Sequence, residues 1–544
     1  MGMGANNLAN TFGAAIGSRA VRFGQAATMA SVMLVAGSFL LSGDVSDTVR
    51  LYLLDLDFFT HHPEQLVIVN WSSLFGSAVV MLPSLYFGIP MSGTHAILGG
   101  LVGASLAYRR HSVHWASCMP LKPCHGFTRV LLSWIFAPMF AALFAIVMMY
   151  ISQLVLLRAP TEAIRRRAPG LIAGVMGLTT FVLFYFVIIT QHNRPVLAWN
   201  NTAGKLFCAL VGVVVAFVAE TIFVNKPSLL KISSGEAEED AQEQGGFARV
   251  PDADACAMCI PGSVSHGQQN PHAGGSTGGF STLAPSWDGT YRDPLMLYGG
   301  GYRQERANSS ENPLEHNHLS PRAPHQHNVV PIYSVYNIFS RGYYSDPFEG
   351  DIDWKMELHN NAERYNPAAE NAFKSVQVYA SLISAFAEGA NNGANLAAPL
   401  ATIWVTYSYG KIDFKDIIPW WSFFFCGAAL IVGLYTVGLR VVRTVSQNLT
   451  KITHSRGLCV ELGSSMAVLA ASSVGLPVSS THCTVAAVAG VAYIGGVGDN
   501  ADVFANLNKR KMAEIALAWL LTPLFSGSIS ACAFLTIDAC IGWN

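Results

Sequence analysis

Two short polar motifs, each present twice, hold the residues of this sequence whose types and spacing could do chemistry. Gly4-Ala-Asn-Asn-Leu-Ala-Asn10 recurs as Gly389-Ala-Asn-Asn-Gly-Ala-Asn395, and Ile89-Pro-Met-Ser-Gly-Thr-His95 recurs as Leu476-Pro-Val-Ser-Ser-Thr-His482. Asn7 and His95 are 88 positions apart, and Asn392 and His482 are 90. Two different motifs in one order at nearly one separation mark an internal duplication. In the first motif a glycine and adjacent carboxamides interrupt an apolar stretch. Buried amides cost free energy unless they are hydrogen-bonded or coordinate something. The pair is open to two readings: close helix packing with Asn bonding across helices, or ligand binding, which the repetition favours. The second motif predicts a proline-started helix whose first turn carries Ser92, Gly93 and Thr94, or Ser479, Ser480 and Thr481. Free N–H groups and hydroxyls at a helix N-terminus suit a tetrahedral oxyanion, and N-capping by Ser92 or Ser479 is compatible with that role. A Ser–His hydrolase is excluded, because no Asp or Glu is placed to orient either histidine. His95 and His482 are read as packing or hydrogen-bonding residues, and no enzyme activity is expected.

The elements that must position these motifs are membrane helices. Of 544 residues 51% are hydrophobic and 12% charged, against about a quarter charged in a soluble domain. Residues 130–157, 171–189, 420–439 and 515–537 contain no Asp, Glu, Lys or Arg, and roughly 20 apolar residues cross the hydrocarbon core. Shorter apolar runs lie at 29–41, 67–87, 206–218 and 462–475. Net charge is −1, and no nucleic-acid signature is visible. Cys208, Cys426 and Cys532 sit in apolar stretches, as small core residues do.

Residues 1–226 and 371–544 read as two transmembrane repeats flanking a polar segment, 227–370. That segment has no sustained apolar periodicity, an acidic cluster (Glu236, Glu238, Glu239, Asp240) and Gly/Ser runs, so it is expected to be disordered. Its Cys256 and Cys259 with His316, His318, His325 and His327 lack a complete zinc spacing, and no metal is expected there. Basic residues at Arg19, Arg22, 158–167, Lys226, Lys231, Arg440, Arg443 and 509–511 fall on one side of alternating helices, which the positive-inside rule assigns to the cytoplasm. Arg109, Arg110 and Lys122 fall on the other side, against that scheme. The halves come out inverted relative to each other. Of the sequons at Asn70, Asn200, Asn308 and Asn448, only Asn200 falls in a loop placed outside.

These motifs, the central insert and the segment Arg443-Thr-Val-Ser-Gln-Asn-Leu-Thr-Lys-Ile-Thr453 resemble the inorganic phosphate transporter family, the type III sodium–phosphate cotransporters, most specifically over residues 457–490. The resemblance covers both hydrophobic blocks and none of the insert. It implies an all-α polytopic protein of about ten to twelve membrane segments in two inverted repeats. The expected partners are inorganic phosphate, sodium or a proton, the lipid bilayer of the plasma membrane, and a second copy of the chain. Phosphate is expected at Asn7, Ser92, Gly93, Thr94, Asn392, Ser479, Ser480 and Thr481. The cation, sodium as co-substrate, is expected at Asn6, Asn7, Asn10, Asn391, Asn392, Asn395 and Glu461.

The sequence departs from the family pattern in three ways. The motif that normally ends in Asp ends here in Asn7 and Asn392, which removes two carboxylates implicated in holding cations. Glu388 stands where relatives carry His, either as replacement charge or proton carrier, or in a hydrated helix end. Glu461 fits a family acid, whose first-half equivalent is absent, with Leu34 near that position. Relatives also carry a hydrophobic segment ahead of the first motif, which leads us to expect a truncated N-terminus or a misplaced start. The alternatives carried forward are proton coupling, sulfate as substrate, and a non-transporting sensor with the insert as its signalling arm.

Overall fold

Apolar runs separated by Gly, Pro and charged turns become helices. In a computed structural model that describes residues 2–115, 126–190, 201–225, 361–410, 412, 418–496 and 505–541, every extended element is helical. In chain order these are α1 (Gly2–Gly17), α2 (Phe23–Leu41), α3 (Gly43–Asp47), α4 (Pro63–Tyr86), α5 (Gly93–Tyr108), α6 (Phe127–Ser152), α7 (Thr161–Thr190), α8 (Asn201–Asn225), α9 (Pro367–Tyr409), α10 (Trp420–Gln447), α11 (His454–Ser473), α12 (Ser480–Ile494) and α13 (Lys509–Ile541). The acidic cluster, the Cys/His group and the sequons Asn200 and Asn308 lie outside the described residues.

Among the described residues, five segments are each long and apolar enough to span a bilayer alone: Phe23–Leu41, Pro63–Tyr86, Phe127–Leu157, Thr161–Ile188 and Lys509–Ile541. On α6, Leu132, Ile135, Phe136, Met139 and Leu143 are exposed, which marks a lipid-facing surface rather than a solvated one. The protein is an integral membrane protein. Helices α1, α5, α9 and α12 carry the polar motifs, and their polar side chains are turned inward.

Packing follows the duplication. Helix α1 packs on α10, and α9 on α2; α5 packs on α13, and α12 on α6; α4 packs on α13, and α11 on α6. Each helix of one repeat therefore meets the partner of the helix its own counterpart meets, the exchange a pseudo-two-fold axis produces. It pairs α1 with α9, α2 with α10, α4 with α11, α5 with α12 and α6 with α13. The motif glycines explain the closeness of two of these contacts: a Cβ on Gly4 would lie 1.8 Å from the Leu430 carbonyl oxygen, and one on Gly389 would lie 2.1 Å from that of Leu34.

One expectation is corrected here. Leu34 is not the first-repeat counterpart of Glu461: it lies on α2, against Gly389, whereas Glu461 lies on α11, whose counterpart is α4. The helix that carries the second asparagine motif begins at Pro367. Asn366 accepts from Ala368 N at 2.9 Å and Pro367 occupies the first turn, a pre-organised helix start.

The strap entering α9 is tied to both repeats. Asn366 Nδ2 donates to Thr161 Oγ1 at 3.3 Å, and Gln153 Nε2 donates to the Tyr365 hydroxyl at 2.7 Å. Glu363 N donates to Gly495 O at 2.9 Å. Arg456 is fully buried, and its Nη2 donates to the carbonyls of Glu363 and Gly495 at 2.8 and 3.1 Å. Nothing in the spacing of the sequence singles out Arg456.

Candidate functional site

Helices α5 and α12 begin at a common centre. Ser92 and Ser479 cap them, accepting from His95 N at 3.2 Å and from His482 N at 3.3 Å. Pro90 and Pro477 do not occupy the first helical position as the sequence suggested; each lies two residues before its cap. Capping satisfies one N–H per helix. The N–H groups of Gly93 and Thr94, and of Ser480 and Thr481, have no intrahelical acceptor. The two ends interlock: Thr94 Oγ1 donates to Val478 O at 2.9 Å and Thr481 Oγ1 to Met91 O at 3.4 Å. Two helices that start head to head and lead away to α13 and α6 run in opposite senses, as an inverted repeat requires.

The asparagines of α1 and α9 hold this junction. Asn6 Nδ2 donates to Met91 O at 2.7 Å, and Asn391 Nδ2 to Val478 O at 2.7 Å. Asn10 Nδ2 donates across the axis to Thr481 Oγ1 at 3.0 Å, and Asn395 Nδ2 to Thr94 Oγ1 at 2.9 Å. Asn6 Nδ2 also reaches Thr481 Oγ1 at 2.7 Å. On the axis Asn392 Nδ2 donates to Asn7 Oδ1 at 2.8 Å. The phosphate candidates Asn7, Ser92, Gly93, Thr94, Asn392, Ser479, Ser480 and Thr481 are thus brought into one buried cluster.

Several polar atoms in this cluster have no partner within the protein: the Oδ1 atoms of Asn6, Asn10 and Asn395, and Nδ2 of Asn7. Buried polar groups are paired in the great majority of cases, so three bare carbonyl oxygens and a bare amide mark a place built for something else. Carbonyl oxygens suit a hard cation, and helix-end N–H groups with amide and hydroxyl donors suit an anion. Glu461, on α11, is buried with Ser384 beside it.

Both histidines are packed. His95 lies on Trp134 with ring centroids 3.7 Å apart, His482 on Trp519 at 3.8 Å, and the two imidazoles meet edge to face at 4.3 Å. Trp134 on α6 and Trp519 on α13 are counterparts, so the four rings form a column across the axis. The sequence placed the histidines but gave no sign of the tryptophans.

A family model described as the phosphate transporter family matches residues 3–530. The chain belongs to the phosphate transporter family. It is 24% identical over 97% of its length to the phosphate-repressible phosphate permease pho-4 of Neurospora crassa, covering 94% of that protein. It is 26% identical over 96% to sodium-dependent phosphate transporter 1-A of Danio rerio, covering 91%, and 25% over 96% to sodium-dependent phosphate transporter 2 of Felis catus, covering 93%. A solved structure, described as the sodium-dependent phosphate transporter, superposes with a TM-score of 0.65 at 20% identity, covering 99% of this chain and 96% of that one. The transporter therefore has the family's fold.

Glu388, which the sequence offered as replacement charge or proton carrier or as part of a hydrated helix end, lies in the middle of the cluster. It is buried, and its Oε2 accepts from Ser480 Oγ at 2.9 Å and from Asn392 Nδ2. The signal that marked it is its place: one residue before the repeated glycine, in an apolar stretch, with a charge.

Proposed function

We propose that this transporter moves inorganic phosphate into the cell across the plasma membrane by alternating access, with sodium as co-substrate. The reading rests on the meeting of the α5 and α12 N-termini, clasped by asparagines from both repeats. Phosphate binds between the two helix ends, at Ser92, Gly93 and Thr94 on one side and Ser479, Ser480 and Thr481 on the other, with Asn7 and Asn392 on the axis. The oxyanion charge is met by helix-end N–H groups and partial positive charge rather than by a basic side chain.

Sodium is assigned to the amide oxygens of Asn6, Asn7, Asn10, Asn391, Asn392 and Asn395 and to Glu461. The printed names of the Danio rerio and Felis catus relatives support sodium, and the bare oxygens of Asn6, Asn10 and Asn395 support its place. Cation and anion neutralise each other in a low-dielectric site, so each raises the affinity of the other. Residues 1–226 and 371–544 act as the two moving repeats, and 227–370 as the cytoplasmic connection between them.

The test is radiolabelled phosphate uptake in transport-deficient cells, with sodium present or replaced by choline, and with excess sulfate as competitor. Sodium-stimulated uptake that resists sulfate is expected. Absent phosphate uptake with normal surface expression would overturn the reading, and full sulfate competition would reassign the substrate.

A further inference from the structure

The pseudo-two-fold of the site breaks in charge at one pair of contacts. Glu388 precedes Gly389 as Met3 precedes Gly4, and Ser480 follows its cap as Gly93 follows Ser92, so Glu388 matches Met3 and Ser480 matches Gly93. In the first repeat the buried Met3 lies against Gly93, where an added Cβ would stand 2.6 Å from the Met3 Cε and Cγ atoms. In the second repeat Ser480 Oγ donates to Glu388 Oε2 at 2.9 Å. The two pairs differ in concert: a thioether faces a residue without a side chain, and a carboxylate faces a hydroxyl. Through Asn392, which donates both to Glu388 and, at 2.8 Å, to Asn7 Oδ1, the carboxylate is joined to the axis of the site.

Glu388 is 2% exposed, and among the described residues its hydrogen-bond partners are Ser480 and Asn392, neither of them basic. Of the elements packed on α9, α1 and α2 contain no ionisable side chain. Helix α11 brings Glu461 and Cys459, with His454 bonded to Gln377 and Arg456 to the carbonyls of Glu363 and Gly495 in its first turn, and α12 brings Cys483 and Tyr493 as well as His482, whose ring is stacked on Trp519. The segment of α3 and the turn after it carries Asp44, Asp47 and Arg50, the last two paired at 3.5 Å. Helix α4 brings Glu64 and Tyr86, and α5 brings His95 and Tyr108. Helix α7 brings Glu162 and residues 165–167 in its first two turns, with Tyr185 beyond them; α10 brings Cys426, Tyr435, Arg440 and Arg443, both arginines in its last third. A buried carboxylate without a paired charge is strongly disfavoured, so the group either takes up a proton or pairs with a cation.

We propose that Glu388 carries the monovalent cation that travels with phosphate, and that this coupling is one-sided, since Met3 leaves the matching position of the first repeat without charge. The inference rests on the proposed phosphate transport and adds to the amide oxygens and Glu461 a second carboxylate, bonded to Ser480 of α12. Protonation and pairing with sodium both neutralise a carboxylate, and the experiment separates them.

Full-length protein is reconstituted in liposomes, and radiolabelled phosphate uptake is driven by a sodium gradient or by a pH gradient, each compared with phosphate–phosphate exchange without a gradient. Wild type is set against Glu388→Gln and against the double variant Glu388→Met with Ser480→Gly, which copies the Met3–Gly93 pair and keeps the packing plausible without charge. The ratio of gradient-driven uptake to exchange is expected to fall on the order of tenfold in both variants, the scale of a typical coupling energy. The gradient whose effect is lost identifies the ion. A Glu388→Gln ratio equal to that of wild type would overturn the inference while leaving phosphate transport intact. Wild type that neither takes up nor exchanges phosphate would overturn the transport reading itself.

Discussion

The two repeats hold the same site with different degrees of fidelity. Where they agree, the shared feature is scaffolding. Gly4 against Leu430 matches Gly389 against Leu34, Asn6 to Met91 matches Asn391 to Val478, and Asn10 to Thr481 matches Asn395 to Thr94. Such pairs fix how closely the helices approach and where the chain turns into α5 and α12, and a symmetric solution serves both halves. Where the repeats differ, at Met3–Gly93 and Glu388–Ser480, the difference is one of charge. Thr481 also departs slightly from its counterpart: it accepts from both Asn6 and Asn10 at 2.7 and 3.0 Å, whereas the hydrogen bond Thr94 accepts among the described residues comes from Asn395. Symmetry therefore builds the cradle, and the departures from it are where we propose that the cation is held.

The largest expected effect comes from breaking a symmetric contact. Gly389→Val puts a branched side chain where even a Cβ falls 2.1 Å from a backbone oxygen of α2. Overpacking between backbones has no flexible side chain to yield, so loss of folded protein at the cell surface is expected, read by surface biotinylation; Gly4→Val should do the same. Normal surface levels of either variant would show that the α1–α10 and α9–α2 contacts are looser than described.

A smaller effect is expected from the tethers. Asn391→Ala removes a donor to Val478 O and an acceptor for Val478 N, at 2.7 and 3.2 Å; Val478 O keeps its bond from Thr94 Oγ1, whereas the buried Val478 N–H loses its acceptor. Such a group costs about 1–3 kcal/mol, so uptake should fall on the order of tenfold with the protein still folded. Asn6→Ala should cost a similar amount. A large loss in one and none in the other would show that the halves share geometry but not function.

Much of this architecture was legible in the sequence, because duplication writes it there directly. The repeated motifs, the capping serines and the long apolar segments each depend on neighbouring residues, and local spacing records them. What local spacing cannot record is which helix meets which. The exchange of α1 and α9 between α10 and α2, the stacking of His95 and His482 on Trp134 and Trp519, and the burial of Arg456 over the α9 strap join residues tens to hundreds of positions apart. Placing the counterpart of Glu461 at Leu34 failed for that reason: the correspondence of α11 is with α4, which only packing reveals. The prolines of the second motif were misplaced by two residues because Pro at a helix start is a tendency, and here Ser92 and Ser479 supply the cap instead. Glu388 stood in plain view, yet its hydroxyl partner lies 92 residues away.

The central claim, that phosphate is held between the two helix ends, is tested most directly by the half-saturation concentration for phosphate uptake in Thr481→Ala beside Thr94→Ala. Thr481 meets two asparagine donors and Thr94 one, so both constants should rise, by roughly tenfold for Thr481 and a few-fold for Thr94. Wild-type half-saturation in both variants, at unchanged surface expression, would place the phosphate somewhere other than this junction.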